Sequence, residues 1–412
     1  MKKYLYSILL LAILGAVLAG ALFYQHYDPD ASMGILSCGN GLENPCISVG
    51  QSPYSKILGI PIAAFGLLYY LIIIFTLLIA DYARDWYLTA TTALTLPLSL
   101  LALVADIILA AIMISIGDFC TLCFYTYMVN ALIFILALFW YRHVRSSGTI
   151  ALLSMAKETV KTGPQTADKR AALSSYTLFI FLLAFSIFAT NFIMNAKTSG
   201  NRASDKQIQS FLTKFYASEI EELDLPDTKL VLGNPDADVT IIVFTDFLCS
   251  ACYSFYKTEK YLLSRFKGQV KILYYHYPLD SLCNSDVGRT VYANSCTASR
   301  AVNAAADQNI LVDYLIAHFA RYKEFKHEYT AEWATTVLRD LVKSGNIRTS
   351  DMKTFEKDMD SKKNRQITED HIKSAVRLKI DATPTLFIAG RRLVGVPPRD
   401  LLEALVAAEL KK

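Results

Sequence analysis

The chain has 412 residues, 53% of them hydrophobic, with a mean hydropathy of +0.31, which excludes an ordinary soluble enzyme and requires that part of it sit in lipid. The formal net charge is only +4, and no basic stripe interleaves with aromatics, which argues against a nucleic-acid partner. Eight cysteines fall in four close pairs, Cys38/Cys46, Cys120/Cys123, Cys249/Cys252 and Cys283/Cys296, and such pairing favours an oxidising compartment. No set of metal ligands is read from the sequence.

In chain order, residues 4 to 23 form an uncharged run of 20 residues behind Met1-Lys2-Lys3, long enough to cross the bilayer core. A cleaved signal peptide ending near Ala19-Gly20-Ala21 is the alternative, although the run exceeds the usual apolar core of such peptides. Further runs at about 60–80, 87–116, 120–140 and 176–194 make five expected spans. Arg142, Arg145, Lys157, Lys161, Lys169 and Arg170 between the fourth and fifth place that loop in the cytoplasm by the positive-inside rule. By parity, residues 25–59, the turn at Gly117-Asp118 and everything after 195 lie outside, so all eight cysteines face or border the outer compartment. Asp106 is a carboxylate deep in the third run, costly there. It reads either as functional or as a neutral group hydrogen-bonded between helices.

The second half reads as soluble. An amphipathic helix is expected over 203–222, and "PDTKLVLGNPDADV" is a turn-rich lead-in. The β-branched and aromatic run "VTIIVFTDF" predicts a buried strand, followed by a helix from about 250 to 266 and the strand "VKILYYHYPL". Residues 284–375 have helical patterning, "TPTLFIAGRRLVGV" is a strand pair, and a helix closes the chain after Pro397-Pro398. This order is that of a thioredoxin-like α/β domain with a helical insertion.

Cys249-Ser250-Ala251-Cys252 falls where a strand ends and a helix begins. Unpaired N–H groups and the helix dipole favour a thiolate at the first cysteine, the species that attacks a disulfide, while the second cysteine resolves the mixed disulfide. The alternatives are a structural disulfide or half a zinc site, and the latter needs two more ligands while no histidine lies within twenty residues of the pair. Cys283 and Cys296 lie in no CxxC at a helix start, and a structural disulfide is expected there rather than a relay. In the membrane half, Cys120, Cys123, Tyr127 and Asn130 recur at i, i+3, i+7 and i+10, one face carrying two thiols, a phenol and an amide. Ordinary helix packing is the bland reading. Thiols at the edge of lipid need an electron acceptor, and the acceptor that lives in lipid is a quinone.

"FTDFLCSACY" followed by "ATPT" resembles the DsbA-type thioredoxin-fold oxidases and isomerases over about 205–412. The resemblance implies a cis proline at Thr383-Pro384 that presents backbone to a thiol substrate, and a Cys283/Cys296 disulfide like that of related secreted proteins. Ser250-Ala251 departs from the common CPxC centre.

Cys38 and Cys46 in a Gly- and Asn-rich loop, Ser52 six residues on, and "CTLCFYTYMVN" resemble the vitamin K epoxide reductase (VKOR) family over about 1–145. That resemblance implies a four-helix bundle holding a quinone, of ubiquinone or menaquinone type, beside Cys120/Cys123. Ser52, Tyr127, Cys123 and Asn130 would stand near the quinone, and Cys38/Cys46 would carry electrons inward. Ile62 stands where the animal enzymes carry an asparagine that contacts vitamin K, so oxidation of protein thiols is implied rather than epoxide reduction.

The expected organisation is a membrane domain at 1–145, a connector with a fifth span at 146–200, and an extracytoplasmic domain at 201–412. The expected function is a quinone-linked thiol oxidase of a bacterial cytoplasmic (inner) membrane, with reduced secreted or periplasmic proteins as substrates. The alternatives are an outward-directed reductase or isomerase relay, and a non-catalytic anchored binding protein with structural disulfides.

Overall fold

The computed structural model describes residues 2–27, 45–50, 52–57, 59–82, 85–116, 118–146, 203–325, 328–343 and 352–412, with isolated positions at 186, 189 and 190. Cys38, the fifth expected span and most of the expected cytoplasmic loop lie outside these residues. The chain divides into two compact units, the second of which takes in residues 202–412.

The first unit is built from apolar helices: α1 (Lys2–Tyr27), the short α2 (Pro45–Gly50), α3 (Ile62–Tyr82), α4 (Asp85–Ile116) and α5 (Thr121–Ser146). Four of them, α1, α3, α4 and α5, are long and apolar enough to span a membrane. A small antiparallel ladder, β1 (Lys56–Ile57) and β2 (Ile60–Pro61), leads into α3. On α1 the buried residues Leu5, Ile8, Ala12, Gly15 and Ala19 recur at three- and four-residue spacing and so make one face. Its small members allow close approach, which matters in lipid because helices there associate by packing rather than by a hydrophobic drive. The phenol ring of Tyr70 on α3 fills the notch at Gly15, where an added Cβ would overlap the ring. Ile73 and Leu77 of α3 and Ile133, Ala137 and Trp140 of α5 complete this buried seam.

The second unit is an α/β domain. Its sheet has the order β3-β5-β4-β6-β7, from β3 (Val231–Gly233), β4 (Val239–Thr245), β5 (Val270–His276), β6 (Thr385–Ile388) and β7 (Arg391–Val394). Only β4 and β5 are parallel, with Ile241 opposite Ile272 and Thr245 opposite His276. A parallel pair needs a crossover, and this one contains the helix at Ser250–Arg265. Counting from α6 (Asp205–Ala217), that helix is α7. The insertion between β5 and β6 holds α8 (Ser295–Asp307), α9 (Leu311–Ala320), α10 (Tyr322–Phe325), α11 (Ala331–Lys343), α12 (Met352–Met359) and α13 (Lys362–Arg377), and α14 (Arg399–Glu409) closes the domain.

Three sequence expectations are corrected. The lead-in contains an edge strand, β3, whose three residues pair with Lys271–Leu273 of β5 and are too short to show alternation. The helix expected to 222 stops at Ala217, because Ser218 turns into extended backbone, φ −71° and ψ 155°. The insertion becomes helical at Ser295 rather than 284. Residues 280–294 are instead turns, held by Asp280, whose carboxylate accepts from the Leu282 and Asn294 N–H groups and the Thr290 hydroxyl.

Candidate functional site

Two thiol centres share one local plan. Cys249 is the N-cap of α7, and its carbonyl accepts the first intrahelical bond, from Tyr253 N–H at 3.0 Å. Cys120 immediately precedes α5, and its carbonyl likewise accepts from Phe124 N–H at 3.0 Å. Each centre therefore puts its first sulfur at a helix N-terminus, with the second one turn along. The cysteines of α7 are free thiols, whereas Cys120 and Cys123 are joined as a disulfide.

At the centre of the second unit both cysteines are buried, at 5% and 3% exposure. The Cys252 thiol, the helix-terminal N–H groups and the nearby Thr383 hold the Cys249 thiol well down, at about 5, with the Cys252 contact the largest cause, and burial opposes them. Burial, reinforced by the Cys249 thiolate, pushes Cys252 up. The pair is thereby split into a nucleophile and a protonated resolving thiol. The Thr383 carbonyl oxygen lies 3.7 Å from the Cys249 sulfur, and the Thr383-Pro384 peptide is cis. Tyr292 reaches over from the turn segment, its hydroxyl accepting from Ser250 N–H at 3.2 Å. Cys283 and Cys296 are joined as a disulfide that brackets this segment.

Two buried acids that the sequence reading did not single out lie behind this centre. Asp246, in the turn leading to Cys249, accepts at 2.7 Å each from Leu248 N–H, Leu279 N–H and the Ser295 hydroxyl, yet burial still lifts it to about 7. Glu259 lies two turns beyond Cys252 on the same buried face and accepts from the Tyr274 hydroxyl; burial lifts it to about 8. The seven-residue interval from Cys252 is the one periodic clue to Glu259.

In the membrane unit, Cys46 of α2 places its sulfur 2.8 Å from that of Cys120. Cys123 forms part of the wall of a cavity of about 600 Å³ bounded by α1, α2, α3, α4 and α5. Most of the lining is aliphatic, and the polar groups include Ser52, Tyr69, Tyr127, Asn130 and Asp106. Ile62 also lines it. Tyr70 Oη donates to Asn130 Oδ1 at 2.7 Å, and Asn130 Nδ2 donates to Asp106 Oδ2 at 2.8 Å. The structure thus gathers Cys46, Cys120, Cys123, Ser52, Tyr127 and Asn130 at or beside one cavity; Cys38 lies outside the described residues. The volume, the apolar wall and the few polar groups fit a lipid-soluble ring with two oxygens and an apolar tail. The Tyr69 oxygen is buried and without a protein partner among the described residues, and its hydroxyl would be available to such an oxygen.

A dithiol split into nucleophile and resolving thiol at the head of a helix, on a thioredoxin-like sheet, defines a thiol–disulfide oxidoreductase. Residues 6–138 match the model of the vitamin K epoxide reductase family, and residues 226–407 match a thioredoxin model. The chain therefore joins a VKOR-family membrane domain to a thioredoxin-family domain. Among curated proteins it is 26% identical over 194 residues to the probable disulfide bond formation protein D of Bacillus anthracis, covering 45% of this chain and 80% of that protein. It is also 26% identical over 186 residues to Na(+)/H(+) antiporter NhaA 1 of Mycolicibacterium gilvum, there covering only 27% of that protein. Among solved structures, oxidised BdbD from Bacillus subtilis is 19% identical, with 47% of this chain and 100% of that one covered and a TM-score of 0.37.

Proposed function

We propose that the protein is a membrane thiol oxidase that introduces disulfides into extracytoplasmic proteins and passes the electrons to a quinone. The observation that carries this reading is the approach of Cys46 to Cys120 at 2.8 Å, with Cys123 in the cavity wall. Exchange requires a thiolate to reach a disulfide sulfur, and that approach supplies the inner hand-over. The order is substrate thiols to Cys249/Cys252, then Cys38/Cys46, then Cys120/Cys123.

A low-lying Cys249 thiolate stabilises the reduced form of its centre and so makes the disulfide the stronger oxidant, which supports electron flow inward from substrate. Thr383 and Pro384 would offer backbone to the incoming chain beside Cys249. Cys123, Ser52, Tyr127 and Asn130 would hold the quinone, which supplies a two-electron acceptor when bound. The aliphatic lining excludes water from that end of the relay. Cys283/Cys296 stands outside it as a structural clamp. The basic residues between 141 and 175 support a cytoplasmic position for that stretch, which would set the thioredoxin-like domain beyond a bacterial cytoplasmic membrane.

The test gives purified full-length protein a reduced, unfolded cysteine-containing substrate and a short-chain quinone. Loss of quinone absorbance with matching loss of substrate thiols is expected. Thiol loss without quinone reduction, or a reporter placing residue 412 in the cytoplasm, overturns the reading.

A further inference from the structure

Asp106 is a mid-span carboxyl, 8% exposed, ten residues from the end of α4. No salt bridge among the described residues includes it. A carboxyl kept in apolar surroundings without a cation is costly, and the bundle spends two further side chains on holding this one. Asn130 of α5 uses both ends of its amide, one toward Asp106 and the other toward Tyr70 of α3, so three helices fix the carboxyl. Asp106 also forms part of the cavity lining, with Tyr69 and Tyr127. A group serving only to join helices has no need to face the cavity.

Position along α5 supplies the second observation. Asn130 lies seven residues beyond Cys123, about 10 Å deeper at 1.5 Å per residue, with Tyr127 between them. The thiol and the carboxyl that Asn130 holds therefore line the cavity at different depths. Of the other polar groups in the wall, phenols, amides and hydroxyls exchange protons far less readily than a carboxyl. His26 is the exception, but it belongs to the outer end, with its Nδ1 2.8 Å from the Gly50 carbonyl.

We propose that Asp106 is the proton-exchange residue of the cavity, positioned by Asn130 and Tyr70 to supply the proton taken up at the ring oxygen remote from Cys123. The inference rests on the quinone-linked reading above. Oxidation of the Cys120/Cys123 dithiol to its disulfide releases two electrons and two protons, and the acceptor takes up two of each. One proton passes directly at the cysteine end. Asp106 gives the other from its carboxyl and is reprotonated by the second proton that the dithiol releases.

The experiment uses the full chain in lipid nanodiscs with a short-chain ubiquinone as probe. Infrared difference spectra on adding the probe should show a perturbed carboxylic C=O band that is absent in Asp106→Asn. In single turnover, reoxidation of reduced Cys120/Cys123 should slow by roughly a hundredfold in Asp106→Asn, the usual scale for a lost general acid. Affinity for the probe should change little, and Asp106→Glu should recover part of the rate. Wild-type reoxidation in Asp106→Asn, a slowing that follows lost affinity alone, or a band indifferent to the probe overturns the inference and leaves the oxidase reading standing. A wild-type protein that binds no quinone overturns both.

Discussion

The two CxxC centres have the same spacing and the same place at the head of a helix, and they differ in what surrounds the second cysteine. Behind Cys252 lies a polar interior with Glu259 and Tyr274, whereas Cys123 looks into a largely aliphatic cavity. Helix geometry alone, then, makes a reactive sulfur pair. On the function proposed above, the surroundings decide whether that pair exchanges with protein thiols or delivers electrons to something dissolved in lipid.

The contrast is broken most completely by removing one centre while keeping the other. Cys120→Ala should bring quinone reduction down to background while Cys249 still reacts with small disulfides at its normal rate, read by mass after alkylation. If Cys249 loses its reactivity as well, the two centres are not separable in this way.

Next in size is the clamp. Replacing Cys283 and Cys296 with serine releases the turn segment that carries Tyr292, and should lower stability in denaturant by about 2–4 kcal/mol. Quinone-linked turnover in the folded double variant should persist, whereas its abolition would make this pair a third redox centre.

Glu259 sharpens the difference through pH. Its folded-state value of about 8 lies above the ordinary 4.5, so between those limits the native protein holds a proton that the unfolded chain has lost. Stability from this group is therefore present at low pH and declines as pH rises through the window. Glu259→Gln removes that dependence, and its stability relative to wild type should rise by roughly 1.4 kcal/mol per pH unit there. A pH-independent difference between the two proteins would show that Glu259 is ionised in the fold.

The smallest expected effect is on Cys249 itself. Its thiolate absorbance should titrate near about 5, and Cys252→Ala should move the midpoint upward, since the Cys252 contact is the largest cause of the depression. An unmoved midpoint would assign the depression to the helix terminus alone.

Much of this was legible in the sequence because apolar runs and CxxC spacing are local signals. The helices α1, α3, α4 and α5 and the strand–helix junction at Cys249 fall where the apolar and β-branched runs put them. Tyr127 and Asn130 on the face of Cys120 followed from helical spacing. What stayed hidden depends on partners distant in the chain. Asp246 and Glu259 stand out only once Leu279, Ser295 and Tyr274 fold onto them. β3 is too short for a pattern, and only its pairing with β5 defines it. Asp106 could be read two ways until Asn130 and Tyr70 were seen on either side of it.

The notch at Gly15 bears on which sequences the protein can tolerate. Even one methyl group at this position would collide with the Tyr70 ring, and Tyr70 is the far support of Asn130. A glycine in the first membrane helix, more than a hundred residues before the cysteines of α5, is therefore tied to the same cavity. In a saturation screen scored by quinone reduction, position 15 should group with Cys120 and Cys123 rather than with exposed neighbours such as Leu14 and Val17.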